Sequence, residues 1–216
     1  MRQHSLAYSL IAIWLVALAT GMHVFMSYAA QPGQAAVDAP ETWPTTETII
    51  ERDTTKPTLV AFIHPHCPCT RASLTELANI LKLSNNTIFA HALVVKPDGA
   101  TAGWEKSATV EQARAIKGLQ ITVDENATAT KQFGAATSGQ VLLYDVNGHL
   151  QFRGGITPGR GEAGDNDGLR SVLALAKEPS CCGTGDETLE SRSETPVYGC
   201  ALATPGKGTS NAVGTK

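Results

Sequence analysis

An α/β sandwich built on a mixed sheet is the fold class that the sequence predicts for its central part. Short, unbroken apolar runs rich in β-formers occupy residues 58–63, 87–95 and 140–144, and such runs suit strands covered on both faces. Stretches with apolar residues at helical spacing alternate with them. The run at 140–144 leads into Asp145-Val146-Asn147-Gly148 and a second β-prone run at 149–153, which is a hairpin signal. Strands that alternate with helices and end in a hairpin and a helix indicate a mixed sheet between helical layers.

The elements follow in order. Residues 5–37 contain no Asp, Glu, Lys or Arg, and the most apolar part, residues 6–26, is 21 residues long. As a helix it spans about 30 Å, the thickness of a bilayer core. Arg2 and the amino terminus place positive charge before it, which puts the N-terminus in the cytoplasm and the main domain on the periplasmic or extracytoplasmic side. Residues 1–30 read either as a single-pass membrane anchor or as a signal peptide with a small-x-small site at Ser27-Tyr28-Ala29. Residues 31–56, with Pro32-Gly33, Pro40 and Pro44, read as a linker with a short ordered piece at residues 47–50.

The central domain covers residues 57–177. After the strand at 58–63, Leu74, Leu77, Ala78 and Leu81 recur at helical spacing. Two starts are open for this helix. Ser73 and Glu76 form a capping-box pattern, whereas a start at Pro68 puts proline at its favoured first position and Cys69 inside the first turn, which is the preferred reading. Further helices are expected at 104–118, 127–133 and 165–177, with a brief strand at 120–124 and Asp165 or Asn166 as the last cap. Residues 178–216 turn polar and carry Cys181-Cys182 and Cys200. Their last dozen residues are low-complexity and are expected to be disordered.

The chemistry concentrates in His64-Pro65-His66-Cys67-Pro68-Cys69-Thr70-Arg71, where a strand hands two cysteines to the start of a helix. A helix N-terminus carries unpaired N–H groups and partial positive charge, and both favour thiolate over thiol. As a redox pair, Cys67 attacks a substrate disulfide and Cys69 resolves the mixed disulfide. A Cys-x-Cys bridge closes a very small ring, so it is expected to be easily reduced and relatively oxidising. His64, His66 and Arg71 are supporting candidates, and Cys200 is a candidate to reach back to Cys67 or Cys69 or to pair with Cys181 or Cys182. No cofactor is expected on this reading. On an alternative one, His64, His66, Cys67 and Cys69 offer soft sulfur and imidazole donors for copper or zinc. The glycine-rich loop at 154–162 is a candidate border of a substrate groove and lacks the spacing of a phosphate loop. A net charge of −3 offers no basic stripe for nucleic acid.

Together, the strand at Thr58–Ile63, Cys67-Pro68-Cys69, the following helix, the hairpin after residues 140–144 and a last helix resemble the thioredoxin-like superfamily over residues 57–177. The exported surroundings look like its TlpA-type members. His64-Pro65-His66-Cys67-Pro68-Cys69-Thr70-Arg71 with Thr137-Ser138-Gly139 looks most like the RedB-type group. The resemblance implies a thioredoxin-like three-layer sandwich with a central mixed sheet behind an N-terminal transmembrane helix. It also implies a protein or small thiol/disulfide as substrate. The chain departs from the family at two points. Thr70 stands where a Cys-x-x-Cys motif has its second cysteine, and Ser138, Gly139 and Gln140 fill the neighbourhood of the facing cis-proline. Three functions stay open: a membrane-anchored thiol-disulfide oxidoreductase, a copper or zinc carrier on the same fold, and a non-catalytic interaction domain.

Overall fold

The computed structural model describes residues 2–33, 39–45, 48–177 and 193–202. The chain forms two compact units, Met1–Gln31 and Pro32–Lys216. The first is one helix, α1 (Arg2–Ala30), whose stretch Ala7–Ala30 has a mean hydropathy of 1.9 and is long and apolar enough to cross a membrane.

The second unit is built on a five-stranded sheet of β1 (Thr58–Ile63), β2 (Phe89–Lys96), β3 (Leu119–Glu125), β4 (Gln140–Tyr144) and β5 (Leu150–Gly155), in the order β3-β2-β1-β4-β5. β1, β2 and β3 run parallel, and β4 and β5 are antiparallel to their neighbours. All six residues of β1 are buried, as its unbroken apolar run requires of a central strand. The period of two divides its side chains between two cores. Leu59, Ala61 and Ile63 face α2 (Thr70–Leu83), α3 (Ala108–Arg114) and α5 (Asp167–Leu175). Val60 and Phe62 face α4 (Thr128–Gln132) with Trp43, Ile50, Phe133 and Tyr144. The result is a thioredoxin-like three-layer sandwich, as expected.

Helix boundaries follow caps more closely than periodicity. The helix expected at 104–118 begins only at Ala108, because Ser107 accepts from Val110 N–H at 3.3 Å and fixes the start there. Trp104 lies in the preceding turn and donates its indole N–H to Val95 O. The last helix is capped by Asn166, which accepts from Leu169 N–H at 2.8 Å. α2 begins at Thr70, with Cys69 as its N-cap residue. Pro68 belongs to the turn before it rather than to the helix.

The folded unit extends past residues 57–177 on both sides. Within the stretch read as a linker, Ala39 and Ile50 are buried and Thr42 bridges to His149. In the stretch read as a polar tail, residues 193–202 lie against β5 and the start of β4, burying Val197 and Leu202. Cys181 and Cys182 lie outside the described residues, as do the terminal residues 203–216.

One polar group matters to the scaffold. Asp124 is fully buried at the end of β3, where its carboxylate accepts from Ala129 N–H, Thr130 N–H and the Thr130 hydroxyl at 2.6–2.9 Å, capping α4. Asp124→Ala leaves those donors unpaired in the interior and is expected to lower the unfolding free energy by about 3 kcal/mol. Urea titration of the full chain in mild detergent reads this as a lower midpoint.

Candidate functional site

The site forms where β1 ends. Its antiparallel pairing with β4 brings Gly139 N–H to Phe62 O at 2.8 Å, and so sets residues 137–139 beside residues 64–67. Past Ile63 the chain turns, with Cys67 N–H donating to His64 O and Thr70 N–H to Cys67 O. Cys67 is 1% exposed, while Cys69 and Cys200 are half-buried.

Three thiols meet here. The Sγ atoms of Cys67 and Cys200 are 2.7 Å apart in hydrogen-bond contact, although 133 positions separate them in sequence. Cys69 joins them, and all three sulfurs lie within 4.8 Å of one another. Cys200 arrives on residues 193–202, held by main-chain bonds from Ser138 N–H to Cys200 O (2.8 Å) and from Leu202 N–H to Ala136 O (2.8 Å).

The three sulfurs differ in acidity. Burial alone raises the Cys67 thiol. The hydrogen bonds from Cys200 and Thr70 favour its thiolate more strongly, and the net effect holds it below the ordinary thiol range. Cys69 is raised by burial and then by the charge on Cys67, against a smaller pull from Arg160. Cys200 is pushed up to about 12 by burial and then by its hydrogen-bond contact with Cys67. Of the three sulfurs, only the buried one is held below the ordinary range.

Ser138 takes the place opposite the cysteine turn. Its hydroxyl accepts from His64 N–H at 2.9 Å and shares a 2.7 Å hydrogen bond with the Thr70 hydroxyl. Thr70 is thus a buried link between the Cys67 sulfur and the Ser138 loop. His64 and His66 form a rim with Trp104, ring centroids 5.4 and 4.6 Å from the indole. The Nδ1 of His64 accepts from His66 N–H, and burial followed by the neighbouring His66 lowers its pKa, so His64 is neutral at pH 7. Neither histidine joins the thiol group among the described residues.

Of the residues singled out in the sequence, the structure gathers Cys67, Cys69 and Cys200, sets His64 and His66 on the rim, and leaves the side chain of Arg71 exposed on α2. The cation at the thiols is Arg160, whose guanidinium donates to Gly199 O at 2.7 Å and acts on both Cys69 and Cys200. Arg160 escaped the sequence reading as a site residue, and the glycine-rich loop at 154–162 that carries it was its available signal. Ser138 was placed opposite the cysteine turn through the Thr137-Ser138-Gly139 resemblance, without a role of its own.

No protein-family model and no curated protein sequence matches the chain. Among solved structures, a hypothetical protein from Sinorhizobium meliloti is similar at a TM-score of 0.53 and 21% identity, over 69% of this chain and 80% of that one. An uncharacterized conserved protein from Geobacillus kaustophilus is similar at 0.51 and 18%, over 70% and 78%. A secreted Mycobacterium tuberculosis disulfide oxidoreductase homologous to E. coli DsbE is similar at 0.39 and 14%, over 56% and 81%. At such identities the likeness is one of fold.

The acidity order has a direct optical test. In the reduced chain, thiolate absorbance is expected to rise in a first step below the ordinary cysteine range, and that step should vanish in Cys67→Ser. Cys200→Ser removes the main hydrogen bond to the Cys67 sulfur and should move the step to higher pH. A depressed thiol pKa leaves thiolate present at neutral pH, so alkylation of Cys67 should slow as pH falls through that step. An unmoved step in Cys200→Ser would show that the Cys200 contact does not set the acidity.

Proposed function

We propose that the chain is a membrane-anchored thiol-disulfide oxidoreductase of the thioredoxin-like superfamily, with Cys67 as nucleophile and its domain on the extracytoplasmic side. The observation that carries this is the meeting of three thiols within 4.8 Å, the most buried of them held below the ordinary thiol range by its hydrogen bonds. The extracytoplasmic placement rests on α1 and the positive charge before it, and it suits a chain whose chemistry needs persistent disulfides. The TlpA-like and RedB-type affinity read from the cysteine stretch belongs to the same proposal.

In one direction, the Cys67 thiolate attacks one sulfur of a substrate disulfide and expels the other as thiolate, forming a mixed disulfide. A second thiol of the cluster gives up its proton to solvent and attacks the Cys67 sulfur. The substrate leaves as a dithiol, reduced by two electrons, and the protein is left with one internal disulfide. The reverse sequence oxidises a substrate dithiol. Cys200, at 2.7 Å, is closer placed for the second attack than a ring closure between Cys67 and Cys69, and Arg160 lowers the cost of ionising it. The hydroxyls of Thr70 and Ser138 position the Cys67 turn, and the His64–His66–Trp104 rim covers one side.

One observation favours a second reading. Three soft sulfur donors within 4.8 Å suit a copper(I) or zinc ion held by Cys67, Cys69 and Cys200, so that the chain would be a metal carrier. This donor set replaces the histidine-containing one that the sequence suggested.

Full-length protein in mild detergent, equilibrated with glutathione buffers, should show a reversible two-electron couple by intact mass. Cys67→Ser should abolish it, and peptide mapping should find Cys67 joined to Cys200. Copper(I) bound one per chain through dialysis, and lost in each single Cys→Ser variant, would favour the carrier. A chain that shows neither property is a non-catalytic interaction domain, and both readings fall.

A further inference from the structure

Residues 195–202 form no regular strand: they bend at Gly199 and make an isolated bridge from Ala201 to Thr137. Thr195, Val197, Gly199 and Leu202 are buried, whereas Pro196 and Ala201 are exposed. Leu202 is 2% exposed and joins the apolar cluster of Phe62, Phe133 and Tyr144. The segment is held mainly through its main chain. Gly33 N–H donates to Val197 O, Arg160 to Gly199 O and Ser138 N–H to Cys200 O, all at 2.7–2.8 Å, and Thr137 forms an antiparallel bridge with Ala201. Backbone bonds of this kind supply affinity, and the buried side chains of Val197 and Leu202 supply selectivity. The cysteine it carries is set against the reactive Cys67 sulfur.

The walls are shaped for this occupant. A Cβ on Gly155 would lie 2.4 Å from Pro196 O, so the β5 side stays bare of side chains to admit a backbone. A Cβ on Gly199 would lie 1.9 Å from Ser138 O, so the residue just before the cysteine must be glycine. The pocket taking Leu202 lies two positions after the cysteine. No bond of this groove requires that the segment belong to the same chain.

We infer that residues 195–202 are the resident occupant of a peptide-binding groove, and that in trans the groove takes cysteine-bearing protein segments with glycine directly before the cysteine and an apolar residue two positions after it. This rests on the thiol-disulfide reading and names its substrate class. While docked, the resident segment covers Cys67, so the nucleophile is reached when it leaves, and its return brings Cys200 back for the second attack.

The test uses reduced full-length chain in mild detergent and the peptide Pro-Val-Tyr-Gly-Cys-Ala-Leu, carrying thionitrobenzoate on its cysteine. The Cys67 thiolate attacks the peptide sulfur, the bond to thionitrobenzoate breaks, and that coloured thiolate leaves. Gly199→Val, which clashes with Ser138, and Leu202→Glu, which loses the apolar anchor, should each release the resident segment. A tethered segment competes at an effective concentration of about 1 mM, so at about 0.1 mM peptide, and at a pH that ionises Cys67 in all three proteins so that losing the Cys200 hydrogen bond does not slow it, both variants should react about tenfold faster than wild type. The same peptide with valine in place of glycine should react only at background. Rates within about twofold across the three proteins, or equal rates for the two peptides, would overturn the inference. Hydroxyethyl disulfide separates the two levels. If it fails to oxidise Cys67 in all three proteins, the thiol-disulfide reading itself falls. If it reacts and the peptides are not discriminated, only the groove falls.

Discussion

The antiparallel pairing of β4 with β1 decides where each reactive group of this chain can be. β1 delivers the cysteine turn to one end of the sheet, and only a strand running the opposite way can begin at that same end. That is why Ser138 and Gly139 meet residues 62–64 and why Ser138 N–H is available to a third segment. The third segment brings Cys200 across a separation that chain entropy disfavours. Its main-chain bonds, together with the burial of Val197 and Leu202, offset that cost. Without the pairing, Cys67 and Cys69 would remain a sequence motif with no partner.

Three thiols this close cannot ionise independently. Each new negative charge raises the cost of the next, so protons leave the cluster in steps that belong to the group. Hydrogen bonds decide which sulfur goes first. Cys67 has donors aimed at it, and it is also the least exposed. Cys200, raised by burial and then by its contact with Cys67 and the charge there, is the last. Burial would ordinarily make the innermost thiol inert; here the contacts that bury Cys67 also solvate its anion. Arg160, held by Gly199 O, offsets part of the rise at both half-buried sulfurs.

The sheet was legible in the sequence wherever burial makes a local pattern. The unbroken runs of β1, β2 and β4 and the Asp145-to-Gly148 hairpin turn appear close to their expected positions. The cysteine stretch was legible for the same reason, since a strand that stops at two histidines and two cysteines is a local event. The rest depended on neighbours in space. Arg71 is next to the motif in sequence and points to solvent, while Arg160 is remote and lies at the thiols. Ser138 gains its role only from the β1–β4 register. Residues 195–202 contain a proline and a glycine, which read as loop. Their place in the fold is set only once Gly154 and Gly155 leave space for a backbone beside them.

The departure at Thr70 follows from the same geometry. In a Cys-x-x-Cys helix the second sulfur is fixed to the helix and travels with the first. Here Thr70 turns its hydroxyl to Ser138, and the sulfur nearest Cys67 sits on a segment held mainly by main-chain bonds. Bonds of that kind exchange readily for equivalent bonds to another backbone, whereas a helix residue cannot be exchanged without unfolding the helix. On the proposed reading, redox state and groove occupancy are therefore one variable. A Cys67–Cys200 disulfide locks the resident segment in place, and reduction leaves only backbone bonds and two apolar anchors for an incoming strand to displace. The rim of His64, His66 and Trp104 lies to one side of this exchange, and the neutral state of His64 keeps it from adding charge there. On that reading, what the motif loses at position 70 is supplied by Cys200, in a form that couples the chemistry to whatever occupies the groove.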